Sequence, residues 1–283
     1  MDNYNFHQLL KETYNELSAR GLETSRADWL LADISGMTRT EIILKYREPV
    51  PDEILTQYLK DRERMYKGEP VQYIVGFAEF YGKKFNVTQH VLIPRPETEE
   101  LVYQTMQSLN KDSKTICDIG TGTGAIAITL KKERPELNVI ATDISIDALQ
   151  IAQQNAKNHE AEIEFLHGRS LEPLIHNNIK VDVLVSNPPY IADEERKEMS
   201  STVLDYEPHT ALFANDAGLA IYKEILRDMD KVVNTNGIVI FEIGYLQGEI
   251  LKTYIREHYQ VEDLKVIKDI NQNNRMIQFI WKH

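Results

Sequence analysis

Hydrophobic positions along this chain follow two different periods. In the first part they recur every three to four residues, the spacing of an amphipathic helix. Phe6, Leu9, Leu10, Tyr14 and Leu17 form one such stripe, closed by Gly21. Thr24-Ser25 can cap a second helix carrying Ala27, Trp29, Leu30, Leu31 and Ile34, which stops at Gly36. Thr40–Leu44 predicts a third, short helix. Pro51 at a first helical position, with Asp52 and Glu53 in the first turn, opens a fourth that runs to about Lys67. The apolar stripes, Trp29 included, are expected in a core. Residues 1–75 therefore read as a small helical domain.

The period then changes. Gly76–Val87 alternates aromatic and polar residues around Gly82-Lys83, which predicts a β-hairpin in a linker over residues 76–91. Residues 92–283 read as one larger domain. Its first helix follows Pro94-Arg95-Pro96-Glu97-Thr98 and carries Leu101, Val102 and Met106. From Thr115, strands alternate with helices. Strands are predicted at Thr115–Ile119, Asn138–Thr142, Glu162–Leu166, Val181–Ser186 and Gly237–Ile243. Helices are predicted at Ala125–Lys132, through Ala148–Ala156, around Ile221–Val233 and around Glu249–His258. That alternation implies an α/β fold, a doubly wound and mostly parallel sheet. Two last strands, near Val261–Ile267 and Met276–Trp281, flank a polar linker and predict an antiparallel hairpin at the sheet edge.

Composition narrows the class of protein. With 283 residues, 42% hydrophobic and 27% charged, the chain suits one large domain with a smaller one. No run reaches the roughly 20 apolar residues of a membrane span, so no membrane role is expected. Met1–Phe6 has neither a basic stretch nor an apolar core, so no signal peptide is expected and the location reads as cytoplasmic. A single cysteine, Cys117, precludes an internal disulfide and sits in a predicted buried strand. A net charge of −12 opposes a broad nucleic-acid footprint. The eight histidines lack metal-ligand spacing, so no metal site is expected.

Two segments carry chemistry. Asn187-Pro188-Pro189-Tyr190 ends the apolar strand Val181–Ser186. The prolines stop the strand, and the residue before a proline is pushed to extended backbone. A side-chain amide, a carbonyl and an aromatic ring are thus presented where open α/β sheets bind ligands. Both acceptors suit the two hydrogens of a planar amino group; an ordinary Pro-rich turn is the plainer alternative. The second segment is Asp118-Ile119-Gly120-Thr121-Gly122-Thr123-Gly124, between the first strand of the larger domain and its helix. Its G-x-G-x-G spacing differs from the G-x-G-x-x-G of dinucleotide binders, and no Walker lysine follows. Asp143 ends the next strand, where an acid can accept both ribose hydroxyls or cap the following helix. Ribose binding is favoured in combination with the loop. An adenosine with a carboxylate-bearing arm fits, as in S-adenosylmethionine, whose demethylated product is S-adenosylhomocysteine. Gly120, Thr121, Gly122, Thr123, Gly124, Asp143 and Asn187 are the expected cofactor contacts.

Further segments match a known family in order. They are Glu69–Ile74, Ile93–Glu99, the Gly-rich loop, Ser186–Ile191, Asp205–Pro208 and Glu242–Gly248. With them the chain resembles the class I S-adenosylmethionine-dependent methyltransferases, with a Rossmann-like fold, and more closely the bacterial release factor glutamine methyltransferases. The resemblance spans most of the chain. It implies that the helical part docks substrate. It also implies that the substrate is the glutamine of the Gly-Gly-Gln loop in class I peptide chain release factors, methylated on its side-chain nitrogen. Arg95 and Glu97 lie where such enzymes shape the entrance; a helix-start salt bridge is the alternative. One departure stands out. A Gly-Asp-aromatic stretch usually flanks the adenine, and here it reads Gly168-Arg169-Ser170-Leu171. Backbone contacts, or apolar packing by Leu171, would have to serve instead.

An amide nitrogen is a poor nucleophile because its lone pair is delocalised. Asn187 and the Pro188 carbonyl would hold the NH2 and favour a more pyramidal nitrogen, with Pro189 stiffening the turn and Tyr190 walling off the amide plane. Orientation of this kind supplies up to roughly 7–11 kcal/mol of a barrier. No general base is assigned, and Asp182 reads as structural. The alternatives are a ribosomal protein glutamine or an exocyclic amine of DNA or RNA as substrate. A dehydrogenase or a non-catalytic binding module is opposed by both motifs.

Overall fold

The computed structural model describes residues 4–282, so the first three residues of the segment read for a leader lie outside it. Two compact units are present: residues up to Phe77 with Ser200–Tyr206, and Ala78–Met199 with the rest from Glu207.

The first unit is helical: α1 (Phe6–Ala19), α2 (Ser25–Ser35), α3 (Arg39–Leu44), α4 (Asp52–Tyr66) and α5 (Val71–Val75), joined by the short α10 (Ser201–Tyr206). Asn5 and Thr38 close capping boxes with Gln8 and Glu41, satisfying backbone donors at both ends of each pair. Gly21 and Gly36 take positive φ after α1 and α2. Phe6, Leu9, Leu17, Leu30, Leu31, Tyr58 and Met65 form the core. Trp29 departs from expectation. It is 41% exposed, because the buried stripe of α2 runs through Ala27, Leu30 and Leu31 and leaves position 29 on the opposite side. Pro51 precedes α4 as its cap residue rather than standing inside it.

The second unit holds the hairpin of β1 (Phe77–Phe80), from Ala78 onward, and β2 (Lys83–Asn86), then α6 (Pro96–Ser108) and a seven-stranded sheet. Phe80 and Phe85 bury into this unit's core, and Asn155 bonds both backbone polar groups of Asn86. The sheet strands are β3 (Thr115–Ile119), β4 (Asn138–Asp143), β5 (Glu164–His167), β6 (Val181–Ser186), β7 (Val233–Glu242), β8 (Val261–Lys268) and β9 (Asn274–Trp281). Between them run α7 (Ala125–Glu133), α8 (Ile146–Asn158), α9 (Glu172–His176), α11 (Ala220–Arg227) and α12 (Gly248–His258).

Strand order is β5-β4-β3-β6-β7-β9-β8, parallel through β7 and antiparallel for β9 and β8. The predicted terminal hairpin is therefore present, with β9 inserted against β7. Successive residues of the central strands feed opposite faces. Cys117, Leu184, Val239 and Phe241 enter one core; Ile116, Val183, Val185, Ile238 and Ile240 enter the other. Coverage on both faces explains why these strands read as continuous apolar runs. The chain order reverses between β3 and β6, which sets a crevice at their carboxyl ends. Among the described residues no helix is long and apolar enough to cross a membrane.

Candidate active site

The carboxyl ends of β3, β4 and β6 open onto a cavity of about 530 Å³. At one side lies the Gly-rich loop. Gly120, Gly122 and Gly124 have φ of 72°, 54° and 81°, the left-handed region that a Cβ disfavours. The Gly120 and Thr121 amides both donate to the Thr142 carbonyl at 2.9 Å, folding the loop onto β4. Gly120 and Gly122 line the cavity, and a Cβ on either would meet nothing within 4 Å. Gly124 serves packing: its Cβ would sit 2.9 Å from Ile128 Cδ1 and 3.2 Å from Ala152 Cβ. Thr121 and Thr123 are buried behind the cavity wall. Thr121 donates its hydroxyl to Asp118 Oδ2 at 2.6 Å, and Thr123 Oγ1 accepts the Ala125 amide at 3.3 Å. Of the five loop residues expected at a cofactor, then, two face the cavity and three shape the loop. Complete burial pushes the Asp118 carboxyl up to about 7, against the pull of the Thr121 hydroxyl.

Asp143 ends β4 on the cavity wall. Its Oδ2 accepts the Gly122 amide at 2.9 Å and its Oδ1 the Ser145 amide at 2.8 Å. Burial raises its pKa, and those amides oppose the rise. The cap of α8 is Ser145, whose hydroxyl accepts the Ala148 amide at 3.2 Å. The Ile144 amide adds a third donor to Asp143, which keeps acceptor capacity for a further one.

Ser186, the last residue of β6, donates its hydroxyl to the Ile119 carbonyl at 2.6 Å and ties the two strand ends together. Asn187, Pro188 and Pro189 follow on the cavity wall. Asn187 Nδ2 donates to Thr98 Oγ1 at 3.1 Å, and the Thr98 hydroxyl donates to Glu242 Oε2 at 2.8 Å. Neither Asn187 Oδ1 nor the Pro188 carbonyl accepts a hydrogen bond from any described residue. Two acceptors therefore stand at the wall with their capacity intact. Tyr190 is not on that wall. Its half-buried ring packs on the core, and burial followed by the Glu242 charge raises its phenol. The Tyr190 carbonyl accepts Gln247 Nε2 at 2.7 Å, and a Cβ on Gly218 would collide with both groups. Burial pushes the Glu242 carboxyl up to about 7, with the Thr98 hydroxyl and the Arg275 charge opposing.

Other predicted positions are placed plainly. Arg95 pairs with the buried Glu207 at 2.6 Å rather than with Glu97, and neither Arg95 nor Glu97 lines the cavity. Asp182 is structural: Oδ2 accepts the Lys114 and Thr115 amides at 3.0 and 2.9 Å, and Oδ1 accepts Asn234 Nδ2 at 2.8 Å. Burial alone would raise its pKa; these donors outweigh it and lower it. In the departing segment, Arg169 makes a two-pronged pair with Glu224 of α11, at 2.7 and 2.6 Å, and both line the cavity. Ser170 takes φ 51° and its buried hydroxyl has no hydrogen-bond partner among the described residues. Leu171 faces the core, not the cavity.

Sequence reasoning missed Glu224, Gly218 and the parts played by Thr98, Glu242 and Gln247. A signal existed for Glu242: an acid closing the apolar run Ile238–Phe241 needs a buried partner. Glu224 follows Ala220 and Ile221 at helical spacing on one wall of the cavity.

Residues 98–207 match the family model "Methyltransferase small domain" and residues 8–76 match "PrmC N-terminal domain". A release factor glutamine methyltransferase of Staphylococcus aureus is 46% identical, covering 98% of this chain and 99% of its own. One from Enterococcus faecalis is 40% identical, covering 96% and 97%. Among solved structures, the hMettl16 catalytic domain bound to a MAT2A 3′UTR hairpin superposes with a TM-score of 0.56 at 15% identity, covering 82% of each chain; this likeness concerns the fold alone. With such identity over nearly its full length, the chain belongs to the family of release factor glutamine methyltransferases.

Proposed function

We propose that this protein transfers the methyl group of S-adenosylmethionine to the side-chain amide nitrogen of the Gly-Gly-Gln glutamine in class I peptide chain release factors, in the bacterial cytoplasm. The observation that carries the reading is the pair of uncommitted acceptors, Asn187 Oδ1 and the Pro188 carbonyl, at the cavity wall beside a Gly-rich loop. Membership of the family supports the choice of glutamine and of release factor.

The donor set fits the cofactor. Gly120 and Gly122 leave open space for a close approach to the loop backbone, and Asp143 keeps acceptor capacity towards a ribose. When bound, S-adenosylmethionine supplies an electrophilic methyl whose C–S bond breaks as the N–C bond forms. The protein's own work is orientation. Asn187 Oδ1 and the Pro188 carbonyl accept one amide N–H each, which fixes the nitrogen's face and weakens its delocalisation. Pro188 and Pro189 lock the turn, so little is lost in ordering it. Tyr190 backs the turn from the core side. No side chain is assigned as general base: the nitrogen becomes acidic only as it alkylates, and its surplus proton would then pass to solvent water.

The test is incubation with labelled S-adenosylmethionine and a release factor. A Gln→Ala change in the Gly-Gly-Gln loop and duplex DNA serve as controls. Label on the intact release factor alone is expected; label on DNA with none on the release factor overturns the reading.

A further inference from the structure

An asparagine amide is ambiguous: rotated by half a turn, the same side chain offers the substrate two N–H donors in place of an oxygen. Gripping an NH2 group requires Oδ1 outward every time. We propose that Thr98 and Glu242 set the polarity of Asn187, locking Nδ2 inward so that Oδ1 faces the substrate amide. The inference rests on the glutamine methyltransferase reading and adds two positioning residues to it.

The argument is one of hydrogen counting. An ionised carboxylate only accepts. Thr98 Oγ1 lies 2.8 Å from Glu242 Oε2, so the single hydroxyl proton points to Glu242. Towards Asn187, at 3.1 Å, the hydroxyl then has lone pairs alone. The group facing it must be Nδ2. A reversed amide would set oxygen against oxygen in a buried place. Thr98 is 5% exposed and Glu242 1%, so water does not relieve that conflict. The two residues also come from rigid places, the first turn of α6 and the last residue of β7. They are separated by 144 positions in sequence and meet only behind Asn187.

The lock has a proton dependence. A protonated Glu242 can donate to Thr98, whose own proton then turns towards Asn187 and selects the reversed amide. The groups around Glu242 are Glu97 and Thr98 of α6, Arg275 of β9, Tyr190, and the Tyr222 hydroxyl of α11, which donates to the Glu242 backbone carbonyl at 2.7 Å. Burial and Glu97 favour the neutral acid, whereas the Thr98 hydroxyl, the Arg275 charge and the Tyr190 hydroxyl favour the anion.

The experiment compares wild type, Thr98→Val, Thr98→Ser, Glu242→Gln and Asn187→Ala on a release factor. Measured are kcat, KM, the dissociation constant of S-adenosylmethionine and the melting temperature. Thr98→Val should lower kcat roughly 10- to 100-fold, the loss tied to one unmet buried hydrogen bond, with cofactor affinity within about twofold of wild type. Thr98→Ser, which restores the hydroxyl, should recover most of kcat. The wild-type kcat should rise through an inflection near neutral pH that Glu242→Gln lacks. Two results overturn the lock while leaving the function standing: a folded Thr98→Val enzyme with wild-type kcat, or an unchanged inflection in Glu242→Gln. An inactive wild type would instead sink the methyltransferase reading itself, and a fully active Asn187→Ala would sink the role of Asn187 and the lock with it.

Discussion

The two ends of the cavity are built on different principles. At the Asn187 end, the polar groups that do not face the cavity lean on buried partners: Asn187 Nδ2 on Thr98 and through it on Glu242, the Tyr190 carbonyl on Gln247, Ser186 on the Ile119 carbonyl. At the Arg169 end, an ion pair with its arginine half-exposed does the closing, and the Ser170 hydroxyl is buried without a partner among the described residues. A reacting nitrogen must be held within tenths of an ångström, which calls for a preorganised shell. A nucleoside edge needs only adequate contact. On the proposed function the Arg169 end would meet the nucleoside, and it is there that Gly168-Arg169-Ser170-Leu171 departs from the stretch the resemblance implies.

The sharpest way to break this comparison is Asn187→Ala. Loss of one preorganised polar contact to the reacting group should cost about 100- to 1000-fold in kcat, with cofactor affinity nearly unchanged by calorimetry. Comparable losses in kcat and in cofactor binding would mean that the Asn187 end holds no special precision. Next comes Gly218→Ala. The added Cβ collides with the Tyr190 carbonyl and the Gln247 amide at a backbone φ of 80°, so the turn must move. A drop in kcat of about tenfold or more is expected, because small displacements of a positioned group are costly.

The opposite end should be forgiving. Arg169 is 53% exposed, so solvent screens its pair with Glu224 and the pair is worth at most about 1 kcal/mol. Arg169→Ala should weaken S-adenosylmethionine binding by no more than about fivefold and leave kcat alone. A loss of a hundredfold would show that the ion pair carries the nucleoside.

A pH experiment on stability probes the buried half. Glu242 and Asp118 both sit near 7 in the folded protein, above the usual carboxylate range, chiefly through burial. Between that usual range and about 7, the folded state retains protons that the unfolded chain has released. Stability therefore falls as pH rises through this window. In Glu242→Gln, thermal melts should decline less steeply from about pH 5 to about pH 7 than in wild type. Parallel slopes would mean that Glu242 ionises normally.

Much of this molecule was legible from patterns within single segments. The alternation from Thr115 onward anticipates the parallel sheet, since its strands are buried on both faces and its helices on one. Asn187-Pro188-Pro189 and the glycines reach the cavity because proline and glycine dictate backbone locally. Boundaries were harder: β7 starts at Val233, four residues before the apolar run that marks it, and the polar residues after Val233 fall where the register with β6 shifts, with Asn234 reaching Asp182 through its side chain. Trp29 was misjudged because hydrophobicity says nothing about which side of α2 finds a partner. The short helices α5 and α9 lack a full period and so left no signal.

What the sequence determined by itself was a set of local conformations and an order of elements, both consequences of φ restriction and hydrophobic period. Those place an amide and a carbonyl at a strand's end beside a glycine turn. Only the tertiary structure decided which atom of that amide faces outward. That choice belongs to Thr98, Glu242 and Asn187 together, and no one of their segments contains the partner that fixes its proton. Directional hydrogen bonds between distant residues are a property of packing, so they become readable only when the chain has folded.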